Sequence, residues 1–579
     1  MRVGYTPRLH PAILVAACLA AYSACLGHQF LSWDDTTHIL GNALVNPPLL
    51  ANLPRVWAQA TFGLYIPLTY SAWTLLAMVS NALLEVIHPA VFHGANLLVH
   101  IVNVLLVYRL IGRIGELAAE RGRRALAPAG VLMGALLFAV HPLQVQPVVW
   151  ISGLRDTLSA GFGLAALLLH YRIAQLTGGC HPWRSHRGRH LLVCVLFAAA
   201  VLCKPTAVAL LLMVVVIDRW LIGLDWRFTI GSAAPWLAVA IPAAIATQAL
   251  QPASSMIVYT PLLHRPVVAL DALAFYLGKL VAPLSLLPDY GRAPMTLFTS
   301  PAVYWTWIVP VATAGAVFVL RRRAPYLAGG CLAATVALAP VLGVIPFSFQ
   351  DFSTVADQYM YLPLVGLAIA AAGSLRSRTA LAVASVVLLA FGARSFTQTL
   401  LWKDDVTLFT HVVAQNPRSY AGHNTVARAY SLQGEIELAL DHYKKALAIE
   451  PANPVSLNGV GQTLHRMGAH QQAVTYYDRV FSKHTPLGNS VPTFALMHTN
   501  KAAALFALGK SEDALRELDV ALQLDPASAG ATYTKGAILF NSGRIREAIP
   551  WLERAVNDEP FNESFRKNLD AARAAVDNR

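Results

Sequence analysis

Two adjacent carboxylates, Asp34 and Asp35, sit in the run Phe30-Leu31-Ser32-Trp33-Asp34-Asp35-Thr36-Thr37-His38-Ile39, with Asn42 just beyond. Neighbouring carboxylates raise one another's pKa, which suits one of them to a general base's work, and such a pair can also ligate a divalent metal. In a loop the pair is ordinarily just solvated, so metal binding stays open and no other cofactor is expected. A second polar group is the turn His141-Pro142 with Gln146, followed by Trp150, Arg155 and Asp156. Arg155 and Asp156 are either functional or a buried ion pair that fixes helix packing. Lys204-Pro205 interrupts an apolar run. An ammonium held there, outward from the lipid, suits a phosphate, and a lysine that merely snorkels is the alternative. The segment Asp357-Gln358-Tyr359-Met360-Tyr361 opens a late apolar stretch, where tyrosines are more often anchors at a membrane interface than ligands.

The elements that must position these groups are membrane helices. Of 579 residues, 56% are hydrophobic and only 13% charged, which is too apolar for an ordinary soluble enzyme. The net charge of +13 fits basic cytoplasmic loops and no nucleic-acid patch, so no nucleic-acid partner is expected and the lipid bilayer is. Spans are predicted near 11–27, 91–112, 127–145, 147–172, 228–250, 303–320, 327–346, 357–373 and 379–399. The first is read as a retained span, not a cleaved signal. The run 191–217, broken at Lys204-Pro205, reads as a hairpin with two arms too short for straight crossings. Basic loops at 113–124, 184–189, 219–227, 321–323 and 376–378 set the cytoplasmic side. This orientation needs an odd number of crossings, about eleven. It leaves 267–287 re-entrant or on the outer face, places 66–87 at the outer interface, and exports everything after about residue 400.

Beyond that point a period appears. Gly434, Gly468, Gly509 and Gly543 recur in step with Ala439, Ala473, Ala514 and Ala548, while Pro417, Pro451, Pro526 and Pro560 bracket the units. A 34-residue helix-pair period with one insertion near 484–490 accounts for all the intervals. Units near 420–453, 454–494, 495–528 and 529–562, with a terminal capping helix, stack into a superhelix whose concave groove is suited to an extended polypeptide. Asn424 and Asn458, on the first helices of neighbouring units, either face that groove and hydrogen-bond a peptide backbone or are solvated polar positions.

The order of these motifs resembles the transmembrane and tetratricopeptide-repeat proteins, multi-span glycosyltransferases of the GT-C fold. The resemblance covers nearly the whole chain: the acidic pair, Tyr65-Ile66-Pro67, His93 through Asn96 to His100, the His141-Pro142 turn with Ser152-Gly153-Leu154-Arg155-Asp156, the lysine hairpin, Asp357-Gln358-Tyr359-Met360-Tyr361-Leu362-Pro363, then repeats. The fold class expected is all-α, with a GT-C-like membrane bundle over 1–400 and a tetratricopeptide α-solenoid over 401–579. By resemblance, the activity implied is protein O-mannosyltransferase-like, with a polyprenyl-phosphate sugar as co-substrate and hydroxyls of an exported polypeptide as acceptor. Asp35, with Asp34 as helper or exchanged for it, would take the acceptor proton. Lys204 and Arg155 would neutralise the departing phosphate, and His141, His93, Asp156, Asp357 and Tyr359 would line the site. Two positions depart from the family's charged residues, Gln146 standing where a glutamate is common and Gln358 where an arginine is. Compact loops and a short array point to a bacterial inner membrane with periplasmic repeats. A non-catalytic repeat scaffold and a transferase acting on a glycan or lipid remain the alternatives.

Overall fold

The computed structural model describes residues 9–179, 186–250, 261–293, 297–345, 347–351, 353–484, 491–559 and 562–577. Cys180, Arg184, Pro560 and most of the expected insertion lie outside them. Among the described residues the chain is helical throughout, with a single isolated bridge between Thr61 and Leu64. It divides into two compact units at the step from Gln415 to Asn416.

In the first unit seven helices are long and apolar enough to cross a membrane: His10–Gly27, Pro89–Glu120, Ile151–Leu176, Pro205–Ile222, Trp226–Leu250, Val303–Leu320 and Arg378–Leu401. The chain is a multi-pass membrane protein. Pro128–Val140 and Pro142–Val149 form one further apolar pair bent by 48°. The bend has a sequence cause, because Pro142 and Pro147 withhold the donors that would continue a straight helix. Pro325–Val341 and Pro363–Ser374 are shorter apolar helices. Two expectations change here. The stretch after Lys204 is long and apolar enough to cross by itself, so it is not a half-length arm. The run 357–373 becomes helical only from Pro363, leaving Asp357–Met360 as a separate 3-10 turn.

Small residues let helices Pro128–Val140 and Pro363–Ser374 meet backbone to backbone. A Cβ on Gly134 would stand 2.3 Å from the Ala368 carbonyl oxygen, and one on Gly130 2.5 Å from that of Ala372. Where lipid removes the hydrophobic drive for association, such close contact supplies the packing energy. After the last span, helix Asp405–Gln415 belongs to this first unit, not to the repeats. Gln29 N donates to the Lys403 carbonyl, Ser32 N donates to Asp405 Oδ1 at 2.9 Å, and Trp33 stacks on Phe409.

The second unit is a run of helix pairs: Tyr420–Gln433 with Ile436–Ile449, Pro454–Arg466 with His470–Lys483, Val491–Ala507 with Ser511–Leu524, and Ala529–Asn541 with Ile545–Asp558. Glu563–Asp577 caps the array. The recurrent glycines end the first helix of each pair or follow it closely, with φ from 77° to 87°, the left-handed conformation that costs glycine least. The recurrent alanines are fully buried at the helix crossings, as their small size requires. Buried Tyr443, Tyr477, Leu518 and Leu552 belong to the core between them.

Candidate functional site

Within the first unit, three segments remote in sequence carry charges that pair with one another: the stretch after the first span, the opening turn of helix Leu154–Leu176, and the break at Lys204. The hub that holds them is Asn96 on helix Pro89–Glu120. Its Nδ2 lies 3.0, 2.8 and 3.0 Å from the carbonyl oxygens of Pro147, Val148 and Trp150, which tie it to the bent segment. Thr157 Oγ1 donates to Asn96 Oδ1 at 2.6 Å. Asn103, two turns further on, donates to the Thr157 carbonyl and to the Tyr361 hydroxyl. The motif from His93 to His100 thus acts largely as scaffolding. Its role was hidden because nothing in its spacing says which carbonyls it must satisfy.

The acidic pair splits into two environments. Asp35 is fully buried, with Oδ2 accepting from Leu31 N at 3.0 Å and Oδ1 from Ser152 N and Oγ at 3.0 and 2.5 Å. Burial pushes its carboxyl up to about 7, against the opposing pull of the Ser152 hydroxyl. Asp34 is the reachable partner, 28% exposed, and accepts from Arg155 at 3.0 Å. Of the two assignments left open for the pair, the geometry leaves Asp34 the reachable carboxylate, while Asp35 ties the loop to Ser152. Ser152 went unrecognised as a partner, although it stands in the Ser-Gly-Leu-Arg-Asp segment.

Arg155 lies 5.2 Å from the Trp150 ring centroid, and its Nε is buried without a partner among the described residues. Lys204 pairs with Asp156 and sits 5.5 Å from the ring centroid of Tyr359. Asp34, Arg155, Asp156 and Lys204 form two ion pairs joined through the chain neighbours Arg155 and Asp156. A phosphate here must share each cation with a carboxylate that already holds it. Asp357 lies to one side, accepting from the Tyr290 hydroxyl at 2.8 Å. Among the described residues no group of three or more His, Cys, Asp or Glu converges as metal ligands do.

The two histidines expected to line the site do not open onto it. His141 Nδ1 accepts from Leu143 N and its Nε2 contacts the Leu280 carbonyl, so both ring nitrogens are engaged by backbone. His93 is buried against His28, ring centroids 5.9 Å apart.

With this geometry in place, likeness to known proteins can be weighed. Two family models match the second unit, one described as TPR repeat over residues 427–468 and one as Tetratricopeptide repeat over 505–576. A protein O-mannosyl-transferase of Caenorhabditis elegans is 22% identical over 461 residues, covering 76% of this chain and 62% of that protein. Protein O-mannosyl-transferase TMTC1 of Homo sapiens is 24% identical over 524 residues, covering 79% and 57%. The chain is similar to these protein O-mannosyl-transferases. Tmtc3 of Drosophila melanogaster, also named a protein O-mannosyl-transferase, is 23% identical over 546 residues, 80% of this chain and 58% of its own. The chain spans somewhat more than half the length of these relatives.

Against that O-mannosyl-transferase background, the two departures meet in space. Gln146 Oε1 accepts from the backbone N of Gln358 at 3.1 Å. A neutral amide here leaves no buried charge without a partner, which a single replacement in a charged pair would do. In the repeats, Asn424 Oδ1 accepts from Ser456 Oγ at 2.8 Å, and Asn458 Oδ1 accepts from Asn500 at 3.0 Å. Both asparagines thus tie neighbouring units together. Asn424 is buried in doing so, whereas Asn458 and Asn500 keep part of their surface.

Proposed function

We propose that this protein is a membrane glycosyltransferase that moves a sugar from a polyprenyl-phosphate donor to hydroxyls of an exported polypeptide. Its setting is the bacterial inner membrane, with the repeats in the periplasm. The observation that carries this reading is the reachable Asp34 held against Arg155, one residue from the Asp156–Lys204 pair. Asp34 accepts the proton of the acceptor hydroxyl as its oxygen bonds to the anomeric carbon. The bond from that carbon to the phosphate oxygen breaks, and the polyprenyl phosphate leaves with the electron pair. Arg155 and Lys204 stabilise the charge that grows on it.

A second observation supports a lipid-borne donor. An apolar cavity of about 440 Å³ runs among helices Arg265–Val281, Ile308–Leu320 and Pro325–Leu338. Tyr276 and Met360 line it, and the Tyr276 hydroxyl donates to the Ala356 carbonyl beside Asp357. An isoprenoid chain fits such a surface, with its phosphate end toward the charged cluster. The repeats hold the polypeptide and raise its local concentration; Asn458 and Asn500 offer it a polar edge.

One fact favours the non-catalytic scaffold as a second reading: every charge in the cluster already has a partner. Full-length protein in nanodiscs, given polyprenyl-phosphate mannose and a Ser/Thr-rich peptide, separates the two. Transfer that falls at least a hundredfold in Asp34→Asn, with the thermal midpoint retained, supports the enzyme. Transfer unchanged by that substitution removes Asp34 from the mechanism, and none in the parent protein leaves the scaffold.

A further inference from the structure

A small cavity of about 40 Å³ lies beside the ion pairs, lined by Asp156, Ser159, Lys204, Gln358, Tyr359 and Tyr361 among others. That volume holds about three water-sized groups, so it receives one edge of a sugar ring rather than the whole ring. The unpaired atoms around it are acceptors. Asp156 Oδ2 and Gln358 Oε1 are buried and have no hydrogen-bond partner among the described residues, and both residues are more than nine-tenths buried. Of the neighbouring donors, Ser159 Oγ is bound to the Ala200 carbonyl, and Lys204 gives one of its three N–H groups to the other oxygen of Asp156. A buried acceptor without a donor is costly, so the complementary ligand brings O–H groups.

A phosphate brings only acceptor oxygens and would meet the Asp156 carboxylate at close range. Arg155, whose Nε is a buried donor without a partner among the described residues, is not in the lining of this cavity. We propose that the cavity is a hydroxyl-recognition subsite for the transferred sugar, in which Asp156 Oδ2 and Gln358 Oε1 accept hydrogen bonds from its hydroxyls while Arg155 and Lys204 serve the phosphate. Gln358 is then a specificity-determining residue. The inference rests on the glycosyltransferase reading and deepens it.

The test uses full-length protein in nanodiscs with polyprenyl-phosphate mannose and its singly deoxygenated forms. One deoxy donor is expected to lose about tenfold in kcat/KM with the parent protein, the weight of one hydrogen bond to a neutral group. Gln358→Met should lose about as much with mannose and nothing further with that deoxy donor. Should Gln358→Met fail to fold, Asp156→Asn supplies the same comparison at the other acceptor. Losses that simply multiply for every donor overturn the subsite while leaving the transferase intact. A parent protein that neither transfers from any donor nor gains thermal stability from one overturns the glycosyltransferase reading, and the subsite with it.

Discussion

Asp34 and Asp35 are adjacent and of one chemical type, yet the fold sends them to different work. Asp35 faces inward onto Ser152 and the Leu31 N–H, and its stability contribution has a definite sign. Its carboxyl is raised from 3.8 to about 7 by burial, so the folded state holds the proton more tightly than the unfolded chain. That contribution is fully present below 3.8 and is lost as pH rises through about 7. Compared with the parent protein, Asp35→Asn should show a thermal midpoint less dependent on pH across that window. It should also be less stable by about 1–3 kcal/mol, because the amide sets an N–H against a donor that the carboxylate accepted from. Thermal unfolding in detergent from pH 4 to 8 measures both. Asp34→Asn should instead spare stability and remove transfer, since its carboxylate is partly solvated. The types of these residues were legible, but their division of labour was not, because Ser152 lies 117 positions away.

At the scale of elements, the site depends on helices that break and helices that touch. The breaks were readable: Pro142, Pro147 and Pro205 each deny a backbone donor, and the polar groups gather where those helices stop. The touching was less so. Gly130 and Gly134 look like any small pair until the carbonyls of Ala368 and Ala372 are seen against them. Gly134→Ala should lower the thermal midpoint of the membrane unit, with an overpacking cost of about 1–3 kcal/mol. Gly112→Ala, where a Cβ meets nothing within 4 Å, should leave it unchanged or raise it. A Gly134→Ala midpoint equal to the parent's would show that this contact can relax. The histidines gave the opposite lesson. His93 and His141 look like site residues on type and order; both are buried, and backbone groups engage both ring nitrogens of His141.

On the scale of the whole molecule, the two units have different solvents and should be separable. The repeats have their own core, from Ala427 to Ala572, so residues 416–579 should fold alone as a soluble helical protein, checked by circular dichroism and sedimentation. Removing 563–579 should lower its thermal midpoint and promote association, since Leu569, Ala572 and Phe565 cover the last pair. Unaltered melting after that truncation would mean that the array needs no cap. What the sequence by itself determined is what a local pattern can encode. Long apolar runs demand lipid, and a 34-residue period demands stacked helix pairs. The boundary near residue 400 followed hydropathy alone. It missed that helix Asp405–Gln415 stays with the membrane unit through Trp33 and Ser32. Tertiary structure alone decided which aspartate is exposed, that Lys204 and Arg155 are already paired, and that Gln146 meets Gln358. Each of these is a contact between residues far apart in the chain, and no local periodicity carries the distance between them.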